Sequence, residues 1–227
     1  MYCATATTGR GARRAGRRLT NNWLESICFE QPWLQIVLQE YIDAVKAATR
    51  RVTDLTDQLL RTLPSWSLSP VVDALVALRG IDKLAATVLL AELGDISRFD
   101  SPKQLMAYLG LVPSEHSSGG HRRQGAITLT GNRHARRMLV ECAWSYRFPA
   151  RQTMHLKRKA KTASPEAKAI AWRAQKRLCG RYRQLAQGGK NVKLVCVAIA
   201  RELVGFIWDI VRHEMPRVAG QQTMVAV

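Results

Sequence analysis

A run of apolar residues with heptad spacing constrains the fold of this chain more than any other feature. The run alternates steps of four and three residues and comprises Leu34, Leu38, Tyr41, Val45, Ala48, Val52, Leu55 and Leu59. This spacing places all of them on one narrow stripe of an α-helix, and Pro32 stands near its start, where a missing N–H costs little. We therefore predict a long coiled-coil-type helix over residues 23–63. Its stripe packs within one globular domain or against another chain, and the polar remaining faces favour a coiled coil or helical hairpin.

The rest of the chain divides at changes in composition. Residues 1–22 are basic and lack acids, which is typical of a disordered arm. Residues 64–70 carry two prolines and three serines and form a predicted linker. We predict a compact helical domain over residues 71–215 and a flexible tail over residues 216–227. No segment has the clean alternation of a strand, so the expected fold is mainly α.

The compact domain opens with two short apolar helices, which end at Leu78 and near Gly94 and are joined by a tight turn at Gly80. This pattern predicts a helix-hairpin-helix, in which backbone N–H groups of the turn meet a phosphate. Gly80 and Lys83 are then candidate nucleic-acid contacts. An ordinary helical hairpin is the alternative, because Asp82 stands where the DNA-binding version usually has a second glycine and would repel phosphate.

The charge balance points to a polyanionic partner. The 227 residues carry 35 Lys and Arg against 17 Asp and Glu, a formal net charge of +18, which favours a polyanionic partner, most simply nucleic acid. The alternative is a ribosomal or other generic basic protein. Between Arg151 and Lys190, twelve Lys or Arg accompany one acid, Glu166. We interpret this stretch as a phosphate-tracking surface with the candidate contacts Lys157, Arg158, Lys159, Arg173, Lys176 and Arg177.

Other classes of protein fit the sequence less well. The five cysteines are scattered and show no paired spacing, so neither a disulfide framework nor a zinc site is indicated. We expect a reducing location, the cytoplasm. The most apolar segment, residues 192–211, is interrupted by charges and predicts a buried amphipathic helix, and no membrane association is expected.

A Ser/Gly turn within a basic frame is the strongest candidate for chemistry. Ser117-Ser118-Gly119-Gly120 is followed by His121, Arg122 and Arg123, and a second basic cluster follows Gly131-Asn132 with Arg133, Arg136 and Arg137. Glycine allows close approach, the cations attract a phosphodiester, and a serine hydroxyl can attack phosphorus. By spacing alone, a merely flexible turn is the commoner explanation.

These elements together resemble the C-terminal part of the insertion-sequence 110/116/902 transposases, the group that includes the Piv-type DNA invertases. The resemblance runs from about Trp23 to Arg212. It rests on a series of short motifs: Phe29-Glu30-Gln31-Pro32, Leu78-Arg79-Gly80-Ile81, Ala91-Glu92-Leu93-Gly94-Asp95, Tyr108-Leu109-Gly110-Leu111-Val112-Pro113, Ser118-Gly119, Gly131-Asn132 and Ala200-Arg201-Glu202-Leu203.

The resemblance implies a DNA recombinase that excises and inserts a mobile element. It implies Ser118 as the catalytic serine of a transposase domain, joined by a coiled coil to a RuvC-like domain whose four acidic residues bind Mg²⁺. It also implies a structured guide RNA and assembly into oligomers, through the coiled coil, with other copies or with full-length transposase.

Two departures from the family pattern bear on activity. No acidic residue precedes Glu25, so we expect the RuvC-like domain to be missing. We therefore expect a truncated transposase that holds no cofactor of its own and needs Mg²⁺ only with a complementary domain. Leu129-Thr130 also replaces the usual Lys-Arg before Gly131. The leading hypothesis is a DNA-binding transposase half that carries the serine but is not self-sufficient. The alternative is a non-catalytic DNA- or RNA-binding or dimerisation module.

Overall fold

The structure, a computed structural model, describes residues 22–115 and 124–225; for residues 124 and 216–225 it describes the backbone only. The chain divides into two compact units, one ending at Arg61 and the other beginning at Thr62. The described residues are mostly helical, with one two-stranded sheet. The prediction of a mainly α fold is confirmed.

The first unit is built on one long helix, α1 (Pro32–Thr62). This helix begins at Pro32 rather than at Trp23 as predicted. Proline suits the first turn of a helix and disfavours helical geometry in the residue before it, so residues 22–25 form a separate helical turn. The Glu25 carboxylate pairs with Lys46 Nζ at 2.7 Å. Ile42, which the predicted stripe omits, is the buried residue of α1.

The second unit contains seven helices in its described part. They are α2 (Ser69–Leu75), α3 (Lys83–Leu93), α4 (Pro102–Tyr108), α5 (Arg133–Ala143), α6 (Met154–Lys159), α7 (Pro165–Gln187) and α8 (Val192–Val225). Short 3₁₀ turns occupy Leu63–Ser65, Ile96–Arg98 and Trp144–Arg147. None of the helices described for residues 22–115 and 124–225 has the length and apolar character that a membrane crossing requires.

Side-chain caps set the starts of several helices. Ser101, Asn132 and Ser164 each accept a hydrogen bond from the backbone N–H three residues later, which satisfies one of the unpaired donors of a first turn. Proline follows Ser101 and Ser164 in the first turn of α4 and α7, where its missing N–H costs little.

Helix α8 lies at the centre of the core, where α2, α4, α5 and α7 all pack against it. Its inward face is wholly apolar over two turns, with Ile199 and Leu203 fully buried. The opposing helices contribute Leu75, Leu105 and Leu139, which are also fully buried. Burying a leucine or isoleucine side chain contributes roughly 1.5–3 kcal/mol, so this contact surface holds the unit together.

A small antiparallel sheet interrupts the helices. Strand β1 (Pro113–Glu115) pairs with β2 (Gln124–Ile127), with Pro113 opposite Ile127 and an irregularity in register before Glu115. The sequence does not predict these two strands. The strands are too short, and their pairing too irregular, to show a two-residue alternation of polarity.

Candidate nucleic-acid interface

The base of this β-hairpin is held by two glycines. Gly110 has φ +61° and Gly131 has φ +70°, a region that glycine adopts without steric cost. A β-carbon on Gly131 would collide with the carbonyl oxygen of Tyr108, and one on Gly110 would collide with the backbone of Thr130. The chain entering the hairpin therefore lies against the chain leaving it, at a distance that excludes side chains.

Arg136 joins the same two segments from the inside. Its side chain, only 8% exposed, donates from Nη1 to the carbonyl oxygens of Leu109 at 2.9 Å and Thr130 at 2.7 Å. Arg136, which we predicted to contact phosphate, therefore points into the protein. There it forms charge-assisted hydrogen bonds with two backbone carbonyls.

Beside the hairpin base lies a cluster of three polar side chains. Asn132, the cap of α5, donates from Nδ2 to Glu92 Oε2 at 2.6 Å, and His134 Nδ1 lies 2.7 Å from Glu92 Oε1. The hydrogen bond with His134, followed by that from Asn132, lowers the pKa of Glu92 below its ordinary value. The carboxylate is thereby held ionised, and it ties the end of α3 to the start of α5.

The predicted serine and its nearest cations lie outside the described residues. Ser118, Arg122 and Arg123 belong to residues 116–123, between the two strands. The strands on either side are described, and the Ser114 hydroxyl donates to the Ala126 carbonyl at 3.0 Å. The two paired strands therefore flank residues 116–123 on both sides in the sequence.

The other cations of the second basic cluster face outward. Arg133 and Arg137 lie exposed, one turn apart, on α5, where residues four apart are neighbours. Just before α5, Leu129 is exposed and has φ +59°, a strained conformation for a residue with a side chain.

The turn at Gly80 is packed against the end of α5 and the 3₁₀ turn Trp144–Arg147 that follows it. A β-carbon on Gly80 (φ +87°) would collide with the carbonyl oxygen of Cys142. Lys159 fills the turn by donating from Nζ to the carbonyls of Leu78 at 2.8 Å and Ile81 at 2.5 Å. Lys159 therefore contacts the protein's own backbone in this structure.

Asp82, whose carboxylate we expected to repel a phosphate, has a structural role at the start of α3. Its carboxylate accepts a hydrogen bond from the Ala85 N–H at 2.9 Å and caps α3. Lys83, the neighbouring candidate contact, lies half-exposed with its Nζ 3.4 Å from the Asp73 carboxylate. The turn is thus organised by internal contacts, as in an ordinary helical hairpin.

The cations of α7 divide into paired and unpaired groups. Arg173 pairs with Asp209 at 3.2 Å, and Arg177 pairs with Glu202 at 2.9 Å. Lys176 Nζ lies 5.7 Å from the centroid of the Trp172 ring. Ion pairs this exposed contribute little to stability, but they offset positive charge on the face towards α8. On α6, Lys157 and Arg158 are exposed.

Sequence reasoning missed the cluster around Glu92. Asn132 could be found as a helix cap from its position after Gly131, but nothing in the spacing links Glu92 to residues forty positions later. The described part of the chain contains no group of three His, Cys, Asp or Glu side chains that could hold a metal ion.

Comparison with known proteins identifies relatives for most of this chain. Residues 72–158 match the profile of the family described as "Transposase IS116/IS110/IS902 family". A Sinorhizobium fredii protein named as a transposase, y4qE, is 45% identical over 191 residues, which cover 84% of this chain and 46% of that relative.

Two further relatives agree with this match. The transposase for insertion sequence element IS1111A of Coxiella burnetii is 31% identical over 60% of this chain and 31% of its own length. The pilin gene-inverting protein of Moraxella bovis is 26% identical over 82% of this chain and 51% of its own. The chain thus spans about half the length, or less, of these curated relatives.

Proposed function

Since this chain belongs to the IS116/IS110/IS902 transposase family, we propose that it binds DNA and carries, in Ser118, the serine used in strand cleavage and transfer during transposition. Gly110, Gly131 and Asn132 match the family's motifs. They meet at the base of strands β1 and β2, between which Ser118 stands in the sequence. This convergence is the observation that supports the proposal, because a nucleophile needs a rigid mounting.

The proposed chemistry is a transesterification at phosphorus. The Ser118 hydroxyl oxygen forms a bond to phosphorus, the bond from phosphorus to one bridging DNA oxygen breaks, and the serine proton ends on that departing oxygen. Arg122 and Arg123 would stabilise the charge on the phosphate oxygens by charge-assisted hydrogen bonds. Because one phosphodiester replaces another, the reverse step can join the strand to a new partner.

The test compares two adjacent serines. The chain is combined with end-labelled element DNA, Mg²⁺ and a separately produced nuclease-like domain of a family relative, and strands that become attached to protein are separated on a denaturing gel. We expect Ser118→Ala to abolish attachment while the Kd for the DNA changes less than about twofold. Ser117→Ala is the matched control and should retain attachment. Attachment that survives in Ser118→Ala would exclude Ser118 as the nucleophile.

For nucleic-acid binding we propose contacts from the exposed cations of α5 and α6. Arg133, Arg137, Lys157 and Arg158 all lie exposed, whereas Arg136 and Lys159 are engaged with backbone carbonyls. Removing one cation that binds a phosphate should reduce the slope of log K against log salt by about 0.9 for duplex DNA. Arg137→Gln should therefore flatten the slope more than Arg177→Gln, whose guanidinium pairs with Glu202. Equal slopes would contradict this assignment.

A structured RNA would be attracted by the same cations, and a guide RNA remains part of the proposal. Competition distinguishes the two nucleic acids: labelled duplex DNA is titrated with unlabelled duplex DNA or structured RNA at matched salt. A DNA-binding transposase half should retain DNA when RNA is added or bind both together. Complete displacement by RNA, with no ternary complex, would favour an RNA-binding module.

The stripe on α1 supports assembly with a second copy of the chain. Its large apolar side chains include Tyr41, Val45 and Val52, which are 71%, 53% and 64% exposed. The helix is 31 residues long, or about 46 Å, which suffices for a two-stranded coiled coil. The alternative function, a dimerisation module without catalysis, would use the same stripe.

Analytical ultracentrifugation tests the assembly. Val45→Lys combined with Val52→Glu should convert dimers to monomers, because the pair would bury charge in the stripe. Lys46→Glu with Thr53→Lys, on the neighbouring faces, is the matched control. An assembly that survives the first pair of changes would exclude the stripe as its interface.

A further inference from the structure

A cleft between α7 and the segment after α5 is not accounted for by the hairpin or by the basic clusters described above. It has a volume of about 340 Å³ and is lined by Arg147, Phe148, Pro149, Tyr182, Arg183 and Gln187, among others. This volume lies at the lower end of the range of about 300–1,000 Å³ for small-ligand sites. A single nucleotide-sized group therefore suits its size.

The charge of the cleft is positive and uncompensated. The described residues that line it include no acidic side chain. Among the described residues, neither Arg147 nor Arg183 forms an ion pair, whereas Arg173, Arg177 and Arg181 of the same helix α7 all pair with acids of α8. The guanidinium of Arg183 therefore lines the cleft and is not paired with a carboxylate of the described residues.

The wall opposite α7 offers flat surfaces for stacking. The guanidinium of Arg147 lies 4.6 Å from the centroid of the Phe148 ring and 5.9 Å from that of Trp144. The Tyr182 ring lines the same cleft and is otherwise buried. Aromatic rings and arginine planes are the surfaces on which proteins stack unpaired bases.

The wall is also held in place before any ligand arrives. Arg79 Nη1 donates to the Pro149 carbonyl at 2.9 Å, and Gln175 Nε2 donates to the Arg151 carbonyl at 2.7 Å. Both bonds fix the backbone around Phe148. A preformed site loses less conformational entropy on binding.

We propose that this cleft binds one unpaired nucleotide of a DNA strand, with the base stacked on Phe148 and Arg147 and the phosphate paired with Arg183. A base inside a duplex cannot reach such a cleft, because it is stacked between its neighbours. The inference rests on the proposed function, since it assumes that the chain binds DNA. It adds that this chain distinguishes an unpaired nucleotide from a paired one.

Fluorescence anisotropy with two matched duplexes tests the proposal, using the full chain. One duplex is fully paired and the other carries a single unpaired 5-iodouracil nucleotide. Stacking of one base is worth about 1–3 kcal/mol, so we expect the unpaired nucleotide to tighten binding roughly fivefold or more. Arg183→Gln should remove this preference, and Arg181→Gln, which removes the same charge from the same helix outside the cleft, should retain it.

Two further measurements complete the test. Irradiation of the iodouracil complex should cross-link the strand to Phe148 or Tyr182, and Phe148→Leu should reduce both the cross-link and the preference while the fold is retained. Free thymidine monophosphate should compete only weakly. Competition by the mononucleotide as strong as that by the strand would indicate a site for free nucleotides and overturn the proposal.

The outcomes separate this inference from the proposed function. Binding of both duplexes with equal affinity, a preference unchanged by Arg183→Gln, or cross-links confined to other residues would refute the cleft while DNA binding stands. Failure to bind either duplex at low salt would refute DNA binding itself, and the cleft proposal with it.

Discussion

The guanidinium of Arg136 donates to the carbonyl oxygen of Thr130 at 2.7 Å. A second bond from the same nitrogen reaches Leu109 at 2.9 Å, so one buried cation joins the chain before the hairpin to the chain after it. This relationship reassigns an arginine of the basic cluster from the surface to the interior. The hairpin base is therefore held by a cation whose hydrogen-bond partners are backbone carbonyls and not a ligand.

Replacement of Arg136 should destabilise the protein. Arg136→Ala leaves the carbonyls of Leu109 and Thr130 without their donor, and the loss of charged hydrogen bonds in a buried site costs about 2–4 kcal/mol. Urea unfolding followed by circular dichroism measures the change. Arg137→Ala, an exposed neighbour on α5, should alter the free energy of unfolding by less than about 0.5 kcal/mol. Equal effects of the two changes would contradict the inward placement of Arg136.

A side chain at Gly131 should be tolerated even less. The φ of +70° costs an alanine about 1–2 kcal/mol, and its β-carbon would collide with the Tyr108 carbonyl. We expect Gly131→Ala to lower the free energy of unfolding by about 3 kcal/mol or more. Gly180→Ala is the control: Gly180 lies inside α7 with open space around it, and alanine there should stabilise the helix by about 0.5–1 kcal/mol.

Because Glu92 is hydrogen-bonded in the folded chain, the free energy of unfolding should depend on pH in the acid range. Its pKa is lower in the folded chain than its ordinary value of 4.5. The unfolded state therefore binds the proton more readily, and the stabilisation is complete above pH 4.5 and is lost as the pH falls through the lowered folded value. Glu92→Gln should flatten this dependence when the free energy of unfolding is measured between neutral and acid pH.

Two controls make the pH result specific to the cluster. His134→Ala removes the hydrogen bond that contributes most to the shift and should flatten the dependence in the same direction. Glu141→Gln changes an exposed carboxyl of the same helix α5 and should leave most of the dependence intact. An acid-side profile of Glu92→Gln identical to that of the unaltered chain would show that the contact is not formed in solution.

The features that the sequence predicts well are local ones. Ser101, Asn132 and Ser164 each precede a helix and bond to an N–H three residues on, and such a signal lies within a few consecutive positions. The long helix α1 is likewise visible in its spacing, although its start depends on Pro32. Local geometry is encoded by neighbouring residues and can be derived from them.

The contacts that the sequence does not predict join residues that are far apart in the chain. The contact of Glu92 with His134 spans 42 positions, and no periodicity connects them. Arg136 is different, because it precedes the buried Leu139 by three residues and Ala143 by seven, which places it on the apolar face of α5. Its inward position could have been inferred from that spacing, but an arginine in a basic run is more often exposed.

The buried cysteines should be inert while the protein is folded. Burial raises the pKa of Cys142 to about 12 and also raises those of Cys179 and Cys196. The thiolate is the reactive form, so at mildly alkaline pH these thiols should not react with a disulfide reagent. Cys28, in contrast, is exposed.

Thiol counting in a Cys3→Ser, Cys28→Ser chain checks this expectation. We expect almost no reaction in the native state and the reaction of all three remaining thiols in denaturant. Rapid labelling of Cys142 in the native state would contradict the packing of α5, since a thiol with a pKa near 12 is almost entirely protonated until the helix opens.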